Sequence, residues 1–281
     1  MISRRTLLLV VSMCFCVSFT MPICAGAAET HMKSAGCKTE YFLLKDLAEA
    51  YQKETGIKLR TASTGNKKAM DLMIANDVDF TFTCKPVEKI AKKLKLDQAE
   101  VGDWKSIPIA KDPIVIVSHA KNDANNLSVE QLTGIFTGEI TNWAAVGGAD
   151  IPIKVSYINT ELESGSLLLF KEFTVGLNGE LMSDAKTLDG PSMLGHYVSQ
   201  TPGAVTFMPL NSYMNKFGAI LAINGVIPSR ESIEDGSYKL AATYYLTVDG
   251  KKNQQIDDFI AYAMSGEGQK VIARNFVPYS K

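Results

Sequence analysis

The sequence predicts an α/β protein with mainly parallel sheets, on three observations. Strand-like apolar runs and helix-periodic stretches alternate along the chain, as they do where crossover helices join neighbouring strands. No internal repeat, low-complexity tract or Pro-rich linker breaks that alternation, so any two lobes are joined by short crossings. At 281 residues and 46% hydrophobic, the chain can fill one large or two medium cores.

Residues 1–30 read differently from the rest. Arg4-Arg5, an apolar run over residues 7–23 and the small residues Ala25-Gly-Ala27-Ala28 match a secretory signal cleaved near Ala27, so an exported, periplasmic protein is expected. Ile23 before Cys24 does not suit lipid attachment, and no later run is long enough to span a bilayer. Removing residues 1–27 leaves 27 bases against 30 acids. Such a mildly acidic chain, with no basic run, excludes an electrostatic footprint for nucleic acid. Cys14, Cys16 and Cys24 also leave, and Cys37 and Cys84 remain.

Past the signal, Leu43, Leu47, Ala50 and Tyr51 share one helical face, and Gly56 stops that helix. Strand-like runs at residues 58–61 and 78–83 flank a helix whose inner face is Met70, Met73 and Ile74. Two more apolar runs follow at residues 106–110 and 114–119. The capping box Ser128-Val-Glu-Gln131 then starts a helix. Residues 204–208 form a late strand, and residues 254–264 and 268–274 a helical C-terminal end.

The string Phe136-Thr-Gly-Glu-Ile-Thr-Asn-Trp143, followed by Ala144-Ala-Val-Gly-Gly148, reads as turn and packing chemistry with Trp143 in a core. Glu163-Ser-Gly-Ser166 sits between a strand at residues 155–158 and an apolar helix at residues 167–173. Exposed N–H groups, the positive end of the dipole, two hydroxyls and a glycine suit a tetrahedral oxyanion there. The same residues also serve as a plain helix cap.

Read in order, these motifs resemble the periplasmic phosphate-binding protein family of ABC transporters. The resemblance is carried by Tyr51-Gln-Lys-Glu-Thr-Gly56, Val78-Asp-Phe80, Leu127-Ser-Val-Glu-Gln-Leu132, the 136–143 string, Glu163–Ser166, Pro202-Gly-Ala-Val-Thr-Phe207, Ile223-Asn-Gly-Val-Ile-Pro-Ser229 and Gly266-Glu-Gly-Gln269. It implies a two-lobed type II periplasmic binding protein fold, of mixed, mostly parallel sheets with a ligand cleft between the lobes. Lobe I would take residues 28–110 and 222–281, and lobe II residues 111–221. A small oxyanion in the cleft, an ABC permease or membrane sensor as partner, a monomer and no cofactor are implied with it.

Carried over position by position, the resemblance makes Lys38, Thr39, Asn66, Lys67, Cys84, Ser164, Gly165 and Ser166 the ligand-binding candidates. The chain departs from the family pattern at Thr160, where an arginine is usual, at Cys84, where the best-known members have an aspartate, at Asn66 for a serine, and across Lys239-Leu-Ala-Ala242. A missing guanidinium leaves a dianion uncompensated unless Lys38, Lys67 or Lys85 replaces it, so inorganic phosphate is expected to bind weakly or not at all.

Two cysteines in an exported protein are expected to pair as a disulfide, Cys37 with Cys84, since both follow strands that neighbour each other in the usual 2-1-3 order. Kept reduced, the pair could instead serve a thiophilic solute, or a periplasmic sensor or redox-responsive module. His31, His119 and His196 show no ligand spacing, so no metal is expected. No base is placed by motif to activate Ser164 or Ser166, and catalysis is not expected.

Overall fold

The computed structural model describes residues 31–37, 40–158, 165–213, 217–251 and 253–279. The signal assigned to residues 1–27, and Lys38, Thr39, Thr160 and Ser164 among the site candidates, lie outside them. The chain runs β1 (His31–Gly36), α1 (Tyr41–Thr55), β2 (Lys58–Ser63), α2 (Asn66–Ile74), β3 (Phe80–Thr83), α3 (Val87–Leu94) and the short α4 (Gln98–Val101). Next come β4 (Lys105–Ser118), β5 (Asn126–Leu127), α5 (Val129–Thr137), β6 (Lys154–Ile158), α6 (Gly165–Phe173), β7 (Lys186–Leu188) and α7 (Pro191–Gln200). The last elements are β8 (Ala204–Pro209), β9 (Ala219–Ile223), α8 (Arg230–Glu234), β10 (Ala241–Val248), α9 (Gln254–Met264), α10 (Gly266–Ile272) and β11 (Val277–Pro278).

One curled, mixed sheet carries the order β2-β1-β3-β10-β4-β8-β6-β7. Strands β2, β1 and β3 run parallel, as do β8, β6 and β7, each joined through helices. Between these parallel sets, β10 and β4 pair antiparallel with their neighbours and with each other. The two runs expected at residues 106–110 and 114–119 form the single strand β4, because Lys111-Asp-Pro113 stays extended in register with Ala241–Thr243.

Apolar faces gather in two main cores. Leu43, Leu47, Tyr51, Phe80, Phe82 and Phe259 pack from α1, β3 and α9, with Ile109 and Ala110 of β4. Phe136, Trp143, Phe170 and Phe207 fill the other, with Ile114 and Ile116 of β4. A single strand thus feeds both, and Ile233, Tyr238 and Leu240 pack with the second core before β10 returns to the first.

Local signals explain the element ends. Gly56, at φ 77°, closes α1 in a left-handed cap. At the start of α5, Gln131 N donates to Ser128 Oγ (3.1 Å) while Ser128 N donates to Gln131 Oε1 (2.8 Å), completing the capping box. Trp143 is fully buried and donates from Nε1 to Gly203 O at 2.9 Å. Strand β10 has no clean alternation of apolar and polar residues; its β-branched and aromatic content, Ala-Ala-Thr-Tyr-Tyr-Leu-Thr-Val, was the available signal.

Candidate functional site

The carboxyl ends of β1, β2 and β3 lie at one sheet edge, and each is followed by a helix that starts there: α1, α2 and α3. Three helix starts therefore present backbone N–H groups and positive dipole ends along one rim, where parallel α/β sheets commonly bind ligands. Gly36 makes the rim compact: a Cβ there would overlap the Phe82 carbonyl, so only glycine lets β1 approach β3 this closely. Cys37 N then donates to Phe82 O at 3.0 Å, and Thr64 N and Gly65 N donate to Gly36 O at 3.0 and 2.9 Å. Gly65, at φ 80°, supplies the left-handed turn that starts α2 at Asn66.

This tying brings Cys37, Asn66 and Cys84 together. The disulfide expected between Cys37 and Cys84 is not formed in the structure: their sulfurs are 3.3 Å apart and share a hydrogen bond, whereas a covalent bridge requires about 2.05 Å. Asn66 Nδ2 donates to Cys84 Sγ at 3.6 Å, and Asn66 Oδ1 is buried with no partner. The hydrogen bond to Cys37, and then burial, push the Cys84 thiol far up, so it stays protonated.

Sequence reasoning missed Glu40, which belongs to the same cluster. It stands just before α1, is only 2% exposed, and accepts from Tyr245 N at 3.2 Å through Oε1. That N–H lies where the β10–β4 register shifts between Tyr244 and Tyr245, so the carboxyl replaces a lost ladder bond. Its Oε2 is buried without a partner. Burial, then the nearby Cys37, hold the Glu40 pKa well above the carboxylate range. Asp112 of β4 is a second buried acid: Tyr244 Oη donates to its Oδ2 at 2.8 Å, and burial pushes its pKa up to about 7. A glutamate directly after the first loop, ahead of an apolar helix, was the available sequence signal.

Among the described residues, Lys67 and Lys85 do not supply the missing charge at this cluster. Lys67 is 73% exposed in its side chain and pairs with Asp71 at 2.9 Å. Lys85 pairs instead with Glu172 of α6, an ion pair that joins an element of the first core to one of the second. The arginines of the described residues, Arg60, Arg230 and Arg274, are all exposed.

Gly165 and Ser166 form the first turn of α6, and both are half-buried. The helix is fixed by Phe170, whose ring stacks on Phe207 at 4.0 Å and meets Phe136 edge-on at 4.6 Å. Among the described residues no group of three or more His, Cys, Asp or Glu side chains is arranged to hold a metal ion.

A family model described as the PBP superfamily domain matches residues 25–267. The chain belongs to that family. It is 25% identical to the phosphate-binding protein PstS of Borreliella burgdorferi over 192 residues, 65% of this chain and 68% of that protein. It is 22% identical to the PstS of Staphylococcus saprophyticus, covering 92% of this chain and 83% of that one. The crystal structure of an ABC-type phosphate transport receptor from Vibrio cholerae superposes with a TM-score of 0.73 at 22% identity, covering 89% of this chain and all of that one. The architecture is the two-lobed type II periplasmic binding protein fold that the motif order implied, and the chain is a solute-binding protein.

Proposed function

We propose that this protein captures a small, phosphate-like tetrahedral oxyanion between its two lobes and delivers it to an ABC permease. The observation that carries this reading is the convergence of the α1, α2 and α3 N-termini on one rim, with the Gly165-Ser166 start of α6 on an element tied to that rim through Lys85 and Glu172. Helix starts bind tetrahedral anions through backbone N–H groups without needing side-chain charge. The relatives above are named for phosphate binding, which supports the same ligand class.

In this reading lobe I begins as the resemblance implied and ends at 110, but its return is put at Ala241 and not at 222, because Ile233, Tyr238 and Leu240 pack with the second core; lobe II holds the residues between, with β4 and β10 as crossings. Export, cleavage near Ala27 and a monomeric state complete the proposal, and no catalytic step is part of it. Isothermal titration with phosphate, and with sulfate as a tetrahedral control, tests it directly. Saturable one-to-one binding of either tetrahedral anion supports it, tight phosphate binding overturns the expectation that phosphate binds weakly, and failure of both anions to bind at any pH overturns the reading.

A further inference from the structure

Among the described residues, three passages of the chain between the two main cores lie side by side. Strand β4 runs from Ile109 and Ala110 in the first core to Ile114 in the second, and β10 follows Leu240 of the second core back to Tyr244 of the first. The chain passes again from Phe276 to Val277, where Val277 pairs with Lys111 of β4. Asp112 lies level with all three, opposite Ala242 in the β4–β10 register. Its diagonal neighbour Tyr244 donates from Oη to Asp112 Oδ2 at 2.8 Å, and the Tyr244 ring meets Phe276 edge-on at 5.8 Å. One carboxyl thus braces two passages directly and the third through a ring contact.

The surrounding elements contribute few charged groups that face Asp112. Glu40, ahead of α1, is close enough for the two carboxyls to repel. Tyr238, before β10, donates instead to Ile114 O at 2.7 Å, and Lys239 is exposed. Lys111 turns away: its Nζ donates to Ile233 O at 2.6 Å and lies over the Tyr279 ring. Glu267 and Lys270 of α10 pair with each other on the surface, and Arg274 is exposed. Asp112 Oδ1 is buried without a partner; burial pushes the Asp112 pKa up to about 7, and the Tyr244 bond acts the other way. An ionised carboxylate in this place calls for water, which the packed crossing excludes.

We propose that Asp112 and Tyr244 form a pH-sensitive hinge brace: while Asp112 is neutral the crossing strands stay packed and the lobes close over the ligand, and its ionisation favours an open form in which water reaches the carboxyl. This rests on the lobe boundary drawn above, and its binding readout rests on the oxyanion reading. Asp112 is a positioning residue, acting through the strands and not on the ligand.

The probe is inorganic phosphate, or sulfate where only sulfate binds, titrated calorimetrically from about pH 5 to about pH 9 into the wild type, Asp112→Asn and Tyr244→Phe. The ratio of wild-type to Asp112→Asn affinity cancels the ionisation of the ligand itself. That ratio is expected to fall about tenfold across the range, the change that one unit of pKa difference between closed and open forms produces. Tyr244→Phe removes the bond that favours the ionised form, so its fall should come at higher pH than in the wild type. A residue that only supported the fold would change the melting temperature and leave the affinity profiles of the folded proteins parallel. Parallel profiles, a ratio that rises with pH, or a Tyr244→Phe fall at or below the wild-type pH overturn the proposal. If Asp112→Asn does not fold, the comparison of Tyr244→Phe with the wild type decides. Phosphate and sulfate that bind at no pH overturn the oxyanion reading and leave the hinge to small-angle scattering from the ligand-free proteins, which also decides if neither variant folds. A wild-type radius of gyration that grows with pH, and stays constant in Asp112→Asn where that variant folds, supports the brace; a wild-type radius that does not grow overturns it.

Discussion

Asp112 shows at residue scale what burial does to an acid without a counter-charge. It is 4% exposed, one oxygen accepts from Tyr244 Oη and the other has no partner. Its folded pKa of about 7 stands above the reference of 3.8, so its stability contribution is complete below that reference and is lost as pH rises through about 7. A tenfold change in a proton-binding constant is worth about 1.4 kcal/mol, so the wild type should lose a few kcal/mol between about pH 4 and about pH 7 that Asp112→Asn does not lose. Urea unfolding at the two ends of the range checks this, and equal pH slopes for both proteins would rule it out. The cysteine pair makes a second prediction at this scale. With sulfurs already 3.3 Å apart, mild oxidation should close an intramolecular bridge, seen as the loss of two hydrogens by mass. Closing that loop should stabilise the fold by about 4 kcal/mol less any strain. Oxidation that yields only intermolecular species would contradict it.

At the scale of elements, the proposed oxyanion capture would rest mainly on helix starts. Helix α6 is held by Phe170 against Phe136 and Phe207, so its N-terminus is fixed by the core and not by the ligand. Replacing Ser164 and Ser166 together by alanine should leave the fold intact and weaken oxyanion binding by about 1–3 kcal/mol for each charge-assisted bond removed. Unchanged affinity in the double variant would place the ligand elsewhere. The strands show how far sequence reading reaches. The ends of α1 and α5 were legible because Gly56 and the Ser128–Gln131 box act through their own backbone within a few residues. Strand β10 was not legible, because its residues Tyr244 to Thr247 answer to β3, β4 and the Glu40 carboxyl, all far away in sequence.

For the whole molecule, β4 and β10 run between the two cores, the chain passes between them again from Phe276 to Val277, and the Lys85–Glu172 ion pair is a side-chain tie between them. Both partners are about one-third exposed, so the pair is screened and worth at most about 1 kcal/mol. Lys85→Met should accordingly weaken ligand binding by no more than about fivefold and reduce its salt dependence, with melting temperature almost unchanged. A large fall in melting temperature would mean that the pair supports the fold and not closure.

By itself the sequence determined most of the alternation of helices and strands, the end of α1 and the start of α5, the burial of Trp143 and, through the order of its motifs, the family; the last helix, expected at residues 268–274, runs Gly266–Ile272. Those features arise from short-range backbone chemistry and from hydrophobic periodicity, which the chain carries locally. Only the tertiary structure decided that Cys37 and Cys84 stand as thiols in contact, that Lys67 and Lys85 are engaged by Asp71 and Glu172, and that Glu40 joins the rim cluster. Charge state and hydrogen-bond partnership depend on which groups meet after folding. Glu40 and Tyr245 are 205 residues apart in sequence, and only the sheet brings them to 3.2 Å.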